Sequence, residues 1–177
     1  QGFGGQVGFF KTNSEIEALI LEANLIKKYQ PKYNVIWKDD KNYFYVAIAK
    51  NAQKIPYIYI THQFKNLKIK NLKIHYIGPF TEGVALKKTL RFLRRVFPYY
   101  TSGKHPKIKC TYCHLDLCPG PNPDLNAYKK NIKKLILILR GKRIAVLNSL
   151  KKEMKKLAKE SKFEEAGKIR DRIYALQ

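Results

Sequence analysis

The chain has 177 residues, and a hydrophobic content of 45% is enough to build a packed core, so one ordinary domain or two small ones are expected. It carries 36 Lys and Arg residues against 13 Asp and Glu residues, a net charge of +23. This imbalance predicts a polyanionic partner, most often nucleic acid and less often an acidic membrane surface. The sequence shows no signal peptide and no apolar run of the about 18–20 residues that span a bilayer, which argues against a membrane protein and favours the cytoplasm.

The positive charge is unevenly distributed. Between Tyr43 and Lys159, only four acidic residues stand against 26 basic ones, whereas the two signs balance from Glu160 to Gln177. The basic field therefore belongs to the middle of the chain, and we expect the last segment to have a different partner. A Lys-rich proteome is the alternative explanation for part of the charge, but it does not explain the scarcity of acids in the middle.

The segment that begins at Ser14 predicts an amphipathic helix. Ser14 can cap its start, and Glu17 completes a capping box three residues later. Pro31 ends it, because proline disfavours helical geometry in the residue before it. Glu22 stands where an apolar residue is expected, and a carboxylate buried there would be paired, protonated or bound to a metal. The alternative is an edge residue that reaches solvent. The same predicted face contains Ala18, Leu19, Leu25 and Ile26.

A small antiparallel sheet is predicted after this helix. Its strands cover residues 43–49, about 57–61 and 73–77, and the third runs into Gly78-Pro79-Phe80. A basic helix follows from Thr81–Gly83 to about Val96. Its apolar stripe consists of Leu86, Leu90, Leu93 and Phe97.

Two groups of basic side chains are candidates for contact with the phosphate backbone, which Lys and Arg can position without reading sequence. On the basic helix they are Lys87, Arg91, Arg94 and Arg95. Around the first helix and the turn after it they are Lys27, Lys28, Lys32, Lys38 and Lys41.

A loop between residues 99 and 123 contains all three cysteines of the chain: Cys110, Cys113 and Cys118. Such a tight cluster is more typical of a local site in a reduced compartment than of a disulfide framework. With His114 or His105 as a fourth ligand, the cysteines could bind zinc, and an iron–sulfur cluster needs thiolates in the same way. Reduced cysteines without metal are the alternative, and haem attachment is disfavoured because no export signal is present.

Three helices are predicted in the last third of the chain. They run from Asp124 to about Leu139, from Lys142 to about Glu160 and from Phe163 to Leu176. We expect the last two to form an antiparallel hairpin.

Several sequence blocks, in a fixed order, resemble one known family, the UvrC family of the bacterial nucleotide excision repair excinuclease. The blocks include SEIEALILEANLIKKYQPKYNV, KDDKNYFYVAI, YIGPF, TLRFLRRVFPY, LCPGP, ILRGK and FEEAGKIRDRIYAL. The resemblance implies an α+β chain in five parts. Residues 1–37 would be the C-terminal part of a GIY-YIG nuclease domain, 38–100 a small DNA-binding region, 101–123 the cysteine loop, 124–141 a connecting helix and 142–177 a helical hairpin.

The resemblance also implies a catalytic role for Glu22, which matches the position of the glutamate that binds the divalent metal, Mg²⁺ or Mn²⁺, in GIY-YIG nucleases. The tyrosine and arginine of that site lie on and after the paired GIY and YIG strands, and residues 1–10 contain no counterpart. If the family pattern applies, these strands would lie upstream of the present sequence, which begins without Met, and a second nuclease domain would follow Gln177. In the cysteine loop, the family pattern implies four cysteines, of which Cys110 and Cys118 match two. Ser102 and Asn122 occupy the other two positions, and Cys113 is additional.

The final block resembles the motif through which members of this family dock onto the helicase UvrB. The resemblance implies a docking face and a charged rim that together include Phe163, Ala166, Ile169, Arg170, Ile173 and Leu176. The alternative is a plain intramolecular hairpin, and the two interpretations are compatible.

The resemblance thus implies a protein that incises damaged double-stranded DNA in excision repair, as part of the SOS response. A non-catalytic adaptor that binds DNA and the helicase is the second hypothesis, and a zinc-dependent protein that binds RNA or the ribosome is the third.

Overall fold

A computed structural model of the chain describes residues 8–30, 43–62 and 74–177, and within these ranges the predicted α+β architecture is confirmed. The strands are β1 (Phe44–Lys50), β2 (Pro56–Thr61) and β3 (His75–Phe80). The helices are α1 (Glu15–Tyr29), α2 (Gly83–Val96), α3 (Thr111–His114), α4 (Leu125–Leu139), α5 (Arg143–Lys159) and α6 (Phe163–Leu176). None of the helices in the described ranges is long and apolar enough to cross a membrane.

Helix α1 begins and ends where its sequence predicts. The Ser14 hydroxyl accepts a hydrogen bond from the Glu17 amide at 3.2 Å, and the Glu17 carboxylate accepts one from the Asn13 amide at 3.1 Å. The capping box therefore closes one residue earlier than the standard pattern, in which the glutamate reaches the N-cap amide. Gln30 ends the helix in a left-handed conformation, with φ of 42°.

The buried face of α1 differs from the predicted one. Ala18 and Glu22 are exposed, and Leu25 is only half-buried. Of the two interpretations of Glu22, the structure matches the residue at the edge of the stripe that reaches solvent, and not the buried carboxylate. The segment is apolar around most of its circumference, so periodicity alone leaves the face undetermined, and packing against β3 and α2 selects it. The buried residues are Leu19, Ile20, Ala23 and Ile26.

The sheet has the order β2-β1-β3, with both neighbours antiparallel to β1. Central β1 is the most buried strand, and Val46 and Ala47 are inaccessible to solvent. The register between β1 and β3 shifts between Phe44 and Val46, opposite the part of β3 that contains Gly78 and Pro79. Proline is tolerated there because β3 is an edge strand with a bulge beside it.

Helix α2 packs against α1 and α6, and its predicted apolar stripe is confirmed, since all four of its members are buried. Its first residue must be small. A Cβ on Gly83 would lie 2.2 Å from the Phe44 ring, which covers this end of the helix.

Helices α4, α5 and α6 complete the fold. Asp124 caps α4 by accepting hydrogen bonds from the amides of Asn126 and Ala127. Helices α5 and α6 form the predicted hairpin and share an apolar core. Arg143 fastens the hairpin to α1, because its guanidinium lies 2.6 Å from the Glu17 carboxylate and donates to the Leu176 carbonyl at 2.9 Å.

Candidate functional sites

The cysteine loop is held between the sheet and α2 by specific hydrogen bonds. The Ile58 amide donates to the Tyr100 carbonyl at 2.8 Å, and the Asn51 side chain donates to the Gly103 carbonyl at 3.1 Å. On the other side, Arg94 Nε donates to the Leu117 carbonyl at 2.7 Å. The loop is therefore positioned by its neighbours at both ends, and its cysteines occupy a defined place in the fold.

One imidazole and three thiols meet in this loop, and their ligand atoms all lie within 4.8 Å of one another. Cys113 Sγ is 3.4 Å from Cys110 Sγ and 3.3 Å from His105 Nε2. His105 Nδ1 is 2.6 Å from the Pro106 carbonyl oxygen, so the ring donates there and leaves the Nε2 lone pair directed at the thiols. The chain thus has a candidate metal-binding group of His105, Cys110, Cys113 and Cys118.

The structure decides between the two histidines that the sequence left open. His105 joins the thiols, whereas His114 is exposed and lies outside the group. Ser102 and Asn122, at the positions where the family resemblance implies cysteines, are also exposed and outside it. Cys113 and His105 therefore complete a four-residue group in place of these two positions.

The environments of the thiols differ. Burial opposes ionisation of Cys110, but hydrogen bonding within the cluster, first of all with Cys113, outweighs it and lowers the pKa of this thiol to about 6. Burial raises the pKa of the Cys118 thiol to about 12, and a hydrogen bond from the Gly120 backbone only partly offsets that effect. Metal coordination deprotonates a thiol outright. A cation that binds all four groups would therefore hold all three cysteines as thiolates, despite the difference in their pKa values.

Glu22 lies where α1 faces the end of β3. Thr81, just after β3, donates its hydroxyl to Glu22 Oε1 at 2.9 Å. Burial, and to a lesser extent the Glu22 carboxylate, raises the pKa of the Tyr43 hydroxyl at the start of β1. Within the described ranges, Glu22 belongs to no cluster of three or more possible metal ligands. It is one carboxylate beside two hydroxyls, at the edge of an open groove that Leu21, Leu25 and Tyr29 also line.

The predicted phosphate-binding residues divide into two classes. Lys87, Arg91 and Arg95 are exposed and recur every four residues, so they lie on one side of α2. Lys27 and Lys28 are exposed at the end of α1. Lys32, Lys38 and Lys41 fall outside the described residues.

Arg94 has a different role from the one predicted. Its guanidinium donates to Leu117 and stacks over the Tyr112 ring, with the guanidinium carbon 4.4 Å from the ring centroid. This side chain therefore holds the cysteine loop against α2. Sequence reasoning missed this role because all the basic residues of α2 look alike, and only the packed loop distinguishes one from its neighbours.

The predicted docking face on α6 is mostly buried within the molecule. Ala166, Ile169, Ile173 and Leu176 are between 4% and 8% exposed, because they pack against α5 and the core. The prediction that they form one available face together with Phe163 therefore fails in this structure. The exposed side of α6 instead presents Phe163, Arg170 and Tyr174, with Phe163 70% and Tyr174 68% exposed.

Comparison with known proteins supports the family resemblance at both ends of the chain. The model of the UvrC-like GIY-YIG domain matches residues 5–35, and the model of the UvrB/uvrC motif matches residues 145–177. The first match contains Glu22, and the second covers nearly all of the α5–α6 hairpin.

Curated relatives match almost the whole chain. It is 39% identical over 178 residues to UvrABC system protein C of Thermoanaerobacter sp. (strain X514), and 40% identical over 178 residues to that of Clostridium perfringens (strain SM101 / Type A). Each alignment covers 96% of this chain and 28% of the relative. The protein of the same name from Clostridium tetani is 35% identical over 175 residues, which cover 94% of this chain and 27% of that protein. The resemblance to the UvrC family is thus confirmed, and the chain spans under a third of the length of these relatives. No solved structure matches it.

Proposed function

We propose that this chain, whose sequence is similar to a segment of UvrABC system protein C, functions in bacterial nucleotide excision repair, as a cytoplasmic protein that contributes to metal-dependent incision of damaged double-stranded DNA. The observation that carries the proposal is the order of the matches. Similarity to one relative continues across 96% of the chain, with the nuclease-type match at the start and the UvrB/uvrC motif at the end. We also propose that the chain has the five parts predicted from its sequence, with boundaries after residues 37, 100, 123 and 141.

The charge of the chain supports a DNA partner. The net charge is +23, and the exposed row of Lys87, Arg91 and Arg95 on α2 suits the spaced negative charges of a phosphate backbone. Lys27 and Lys28 add exposed positive charge at the end of α1. We also assign phosphate contacts to Lys32, Lys38 and Lys41. Binding through such contacts weakens steeply with salt.

We assign Glu22 as the carboxylate that holds Mg²⁺ or Mn²⁺ for incision. The exposed carboxylate at the edge of an open groove supports this, because a catalytic cation must reach both solvent and the DNA strand. Mg²⁺ keeps several waters and uses one or two carboxylates, which suits a single glutamate. Such a cation can stabilise a leaving phosphate oxygen or activate water. The hydroxyl of Thr81 donates a hydrogen bond to Glu22 Oε1 and so orients the carboxylate.

Incision of lesion-containing DNA tests this role in the full natural chain together with the helicase UvrB. Glu22→Gln should abolish cutting while DNA binding is retained, because the amide has the shape of the carboxylate and lacks its charge. Glu15→Gln is the matched control, since Glu15 is another exposed carboxylate of the same helix. Full cutting by Glu22→Gln contradicts the assignment.

We propose that the exposed side of α6 docks onto the helicase UvrB. Phe163 offers a large aromatic surface, and Arg170 lies two turns further along the same side. Aromatic and Arg side chains are enriched among the residues that dominate binding energy. The buried residues Ala166, Ile169 and Ile173 hold the hairpin that presents them.

Binding measurements with purified UvrB test this surface. Phe163→Ala should weaken binding by more than about 1 kcal/mol, the threshold that marks important interface residues. Ile144→Ala is the control, because Ile144 is 71% exposed on the other helix of the hairpin. Equal effects of the two substitutions argue against a specific docking surface.

The second candidate is a non-catalytic adaptor that binds DNA and the helicase. The observation that favours it is that Glu22 belongs to no group of three or more possible metal ligands among the described residues. In that case Glu22→Gln leaves incision unchanged, whereas neutralising Lys87, Arg91 and Arg95 still weakens DNA binding.

A further inference from the structure

The spacing of the four donors in the cysteine loop indicates how many metal ions they can share. Zn–S bonds of about 2.3 Å and Zn–N bonds of about 2.0–2.1 Å place the ligand atoms of a tetrahedral site about 3.5–3.8 Å apart. In this loop, Cys113 Sγ lies 3.4 Å from Cys110 Sγ and 3.3 Å from His105 Nε2. With every pair inside 4.8 Å, the group has the size of a single-ion site.

We propose that His105, Cys110, Cys113 and Cys118 form a mononuclear zinc site. Three thiolates and one imidazole are an established donor set for structural zinc, and four protein ligands close the coordination sphere. The proposal goes beyond the role in DNA repair, and its outcome does not depend on that role.

An iron–sulfur cluster does not fit this group. Each thiolate of a four-iron cluster binds a different iron, so its ligand sulfurs must lie farther apart than the ligands of one ion. The family resemblance would also require thiolates at the positions of Ser102 and Asn122. Both carry no sulfur, and both side chains are exposed and outside the group.

The surroundings of the ligands support coordination. His105 donates its Nδ1 proton to the Pro106 carbonyl, which orients the ring and leaves Nε2 free to bind, as the outer-shell partners of metal-binding histidines do.

The site would join two parts of the fold. Cys118 follows Leu117, to which Arg94 of α2 donates, and His105 lies two residues after Gly103, to which Asn51, just after β1, donates. One ion bound to both segments would fix the position of the loop relative to the sheet and the basic helix.

Metal analysis of the purified chain, expressed with both zinc and iron supplied, tests the proposal. We expect one zinc per chain, with X-ray absorption that shows three sulfur ligands at about 2.3 Å and one nitrogen at about 2.0 Å. Stoichiometric iron with acid-labile sulfide overturns the proposal. A metal-free chain with a Cys110–Cys113 disulfide also overturns it.

Substitution of each histidine identifies the fourth ligand. His105→Ala should weaken zinc binding by more than about 100-fold in competition with a chelator, because even outer-shell substitutions cost about 10–100-fold. His114→Ala is the matched control and should leave affinity unchanged. His105→Cys should retain one zinc with four sulfur ligands, which separates loss of a ligand from loss of folding. Loss of zinc in His114→Ala with retention in His105→Ala overturns the assignment.

Discussion

The cysteine loop and the α5–α6 hairpin are held in the fold by different interactions. The hairpin relies on apolar packing, with Val146, Leu150 and Ile173 between 0% and 6% exposed. The cysteine loop, residues 101–123, consists of exposed and half-buried residues, and polar contacts from Arg94, Tyr100 and Asn51 secure it instead.

The difference follows from the backbone. A helix satisfies its own amides and carbonyls, so its side chains are free to supply apolar surface. An irregular loop leaves carbonyls such as those of Leu117, Gly120 and Gly103 without partners in the loop, and side chains from elsewhere must supply donors. We therefore expect substitutions in the hairpin to act through lost burial, and substitutions around the loop to act through lost hydrogen bonds.

The largest expected effect lies in the hairpin. Ile173→Ala should lower the free energy of unfolding by about 2–5 kcal/mol, because it removes buried methylenes and leaves a cavity. Its neighbour Tyr174, 68% exposed, supplies the control, and Tyr174→Ala should change stability by no more than about 0.5 kcal/mol. Denaturant unfolding followed by circular dichroism measures both. Similar small effects at the two positions would show that α6 is not packed as described.

Arg94 makes a charge-assisted hydrogen bond to the loop. Arg94→Met keeps an apolar stem but removes the charged donor to the Leu117 carbonyl, and should cost about 1.5–3 kcal/mol of stability. Arg95→Met, at the exposed neighbouring position, should cost at most about 0.5 kcal/mol. Denaturant unfolding of the two variants measures the difference.

Arg94→Met and Arg95→Met also distinguish a side chain that holds the cysteine loop from one that binds DNA. Arg95→Met should reduce the slope of log affinity against log salt by about 1, because one phosphate contact is lost. Arg94→Met should leave that slope close to the wild-type value. If Arg94→Met instead reduced the slope and Arg95→Met left it unchanged, Arg94 would be a phosphate-binding residue and would not hold the loop.

The smallest expected effect concerns Tyr100, which donates to the Gly120 carbonyl. Burial, followed by the nearby thiols of Cys118, Cys113 and Cys110, raises the pKa of this hydroxyl from 10.0 to about 12. The neutral hydroxyl is thus favoured in the folded chain. Its contribution to stability is complete below about pH 10 and is lost as the pH rises towards about 12.

Tyr100→Phe should therefore cost about 0.5–1.5 kcal/mol at about pH 7 and make the loss of stability between about pH 10 and 12 shallower than in the wild type. Tyr174→Phe is the control on an exposed ring and should reproduce the wild-type profile. Thermal unfolding at intervals of pH measures the slopes. A Tyr100→Phe profile parallel to that of the wild type would exclude this hydroxyl as a source of alkaline unfolding.

Local chemistry specifies the individual elements, so the sequence predicts them closely. Ser14 caps α1, as the sequence indicates, and α1 ends at Tyr29, just before Pro31. The order of the strands is not predictable in this way, since the pairing of β1 with both β2 and β3 depends on contacts between segments that are distant in the chain.

The candidate sites are predictable only in part. The three cysteines are a local signal, and the structure brings them together, but His105 and His114 are equivalent by composition. His105 is selected because Asn51 and Tyr100 hold its segment beside the thiols, with the Tyr100 ring centroid 5.4 Å from that of His105. Periodicity likewise identifies an apolar face on α6 but cannot tell whether a partner or the chain itself covers it.

The sequence by itself determined most of the helices and strands, the excess of positive charge and the resemblance to the UvrC family, because caps, periodicity and composition are local properties. Only the tertiary structure decided which side of α1 is buried, which histidine joins the cysteines and which arginine of α2 fastens the loop. These three depend on neighbours that are remote in sequence, and burial and hydrogen-bond geometry distinguish residues that are chemically identical when read along the chain.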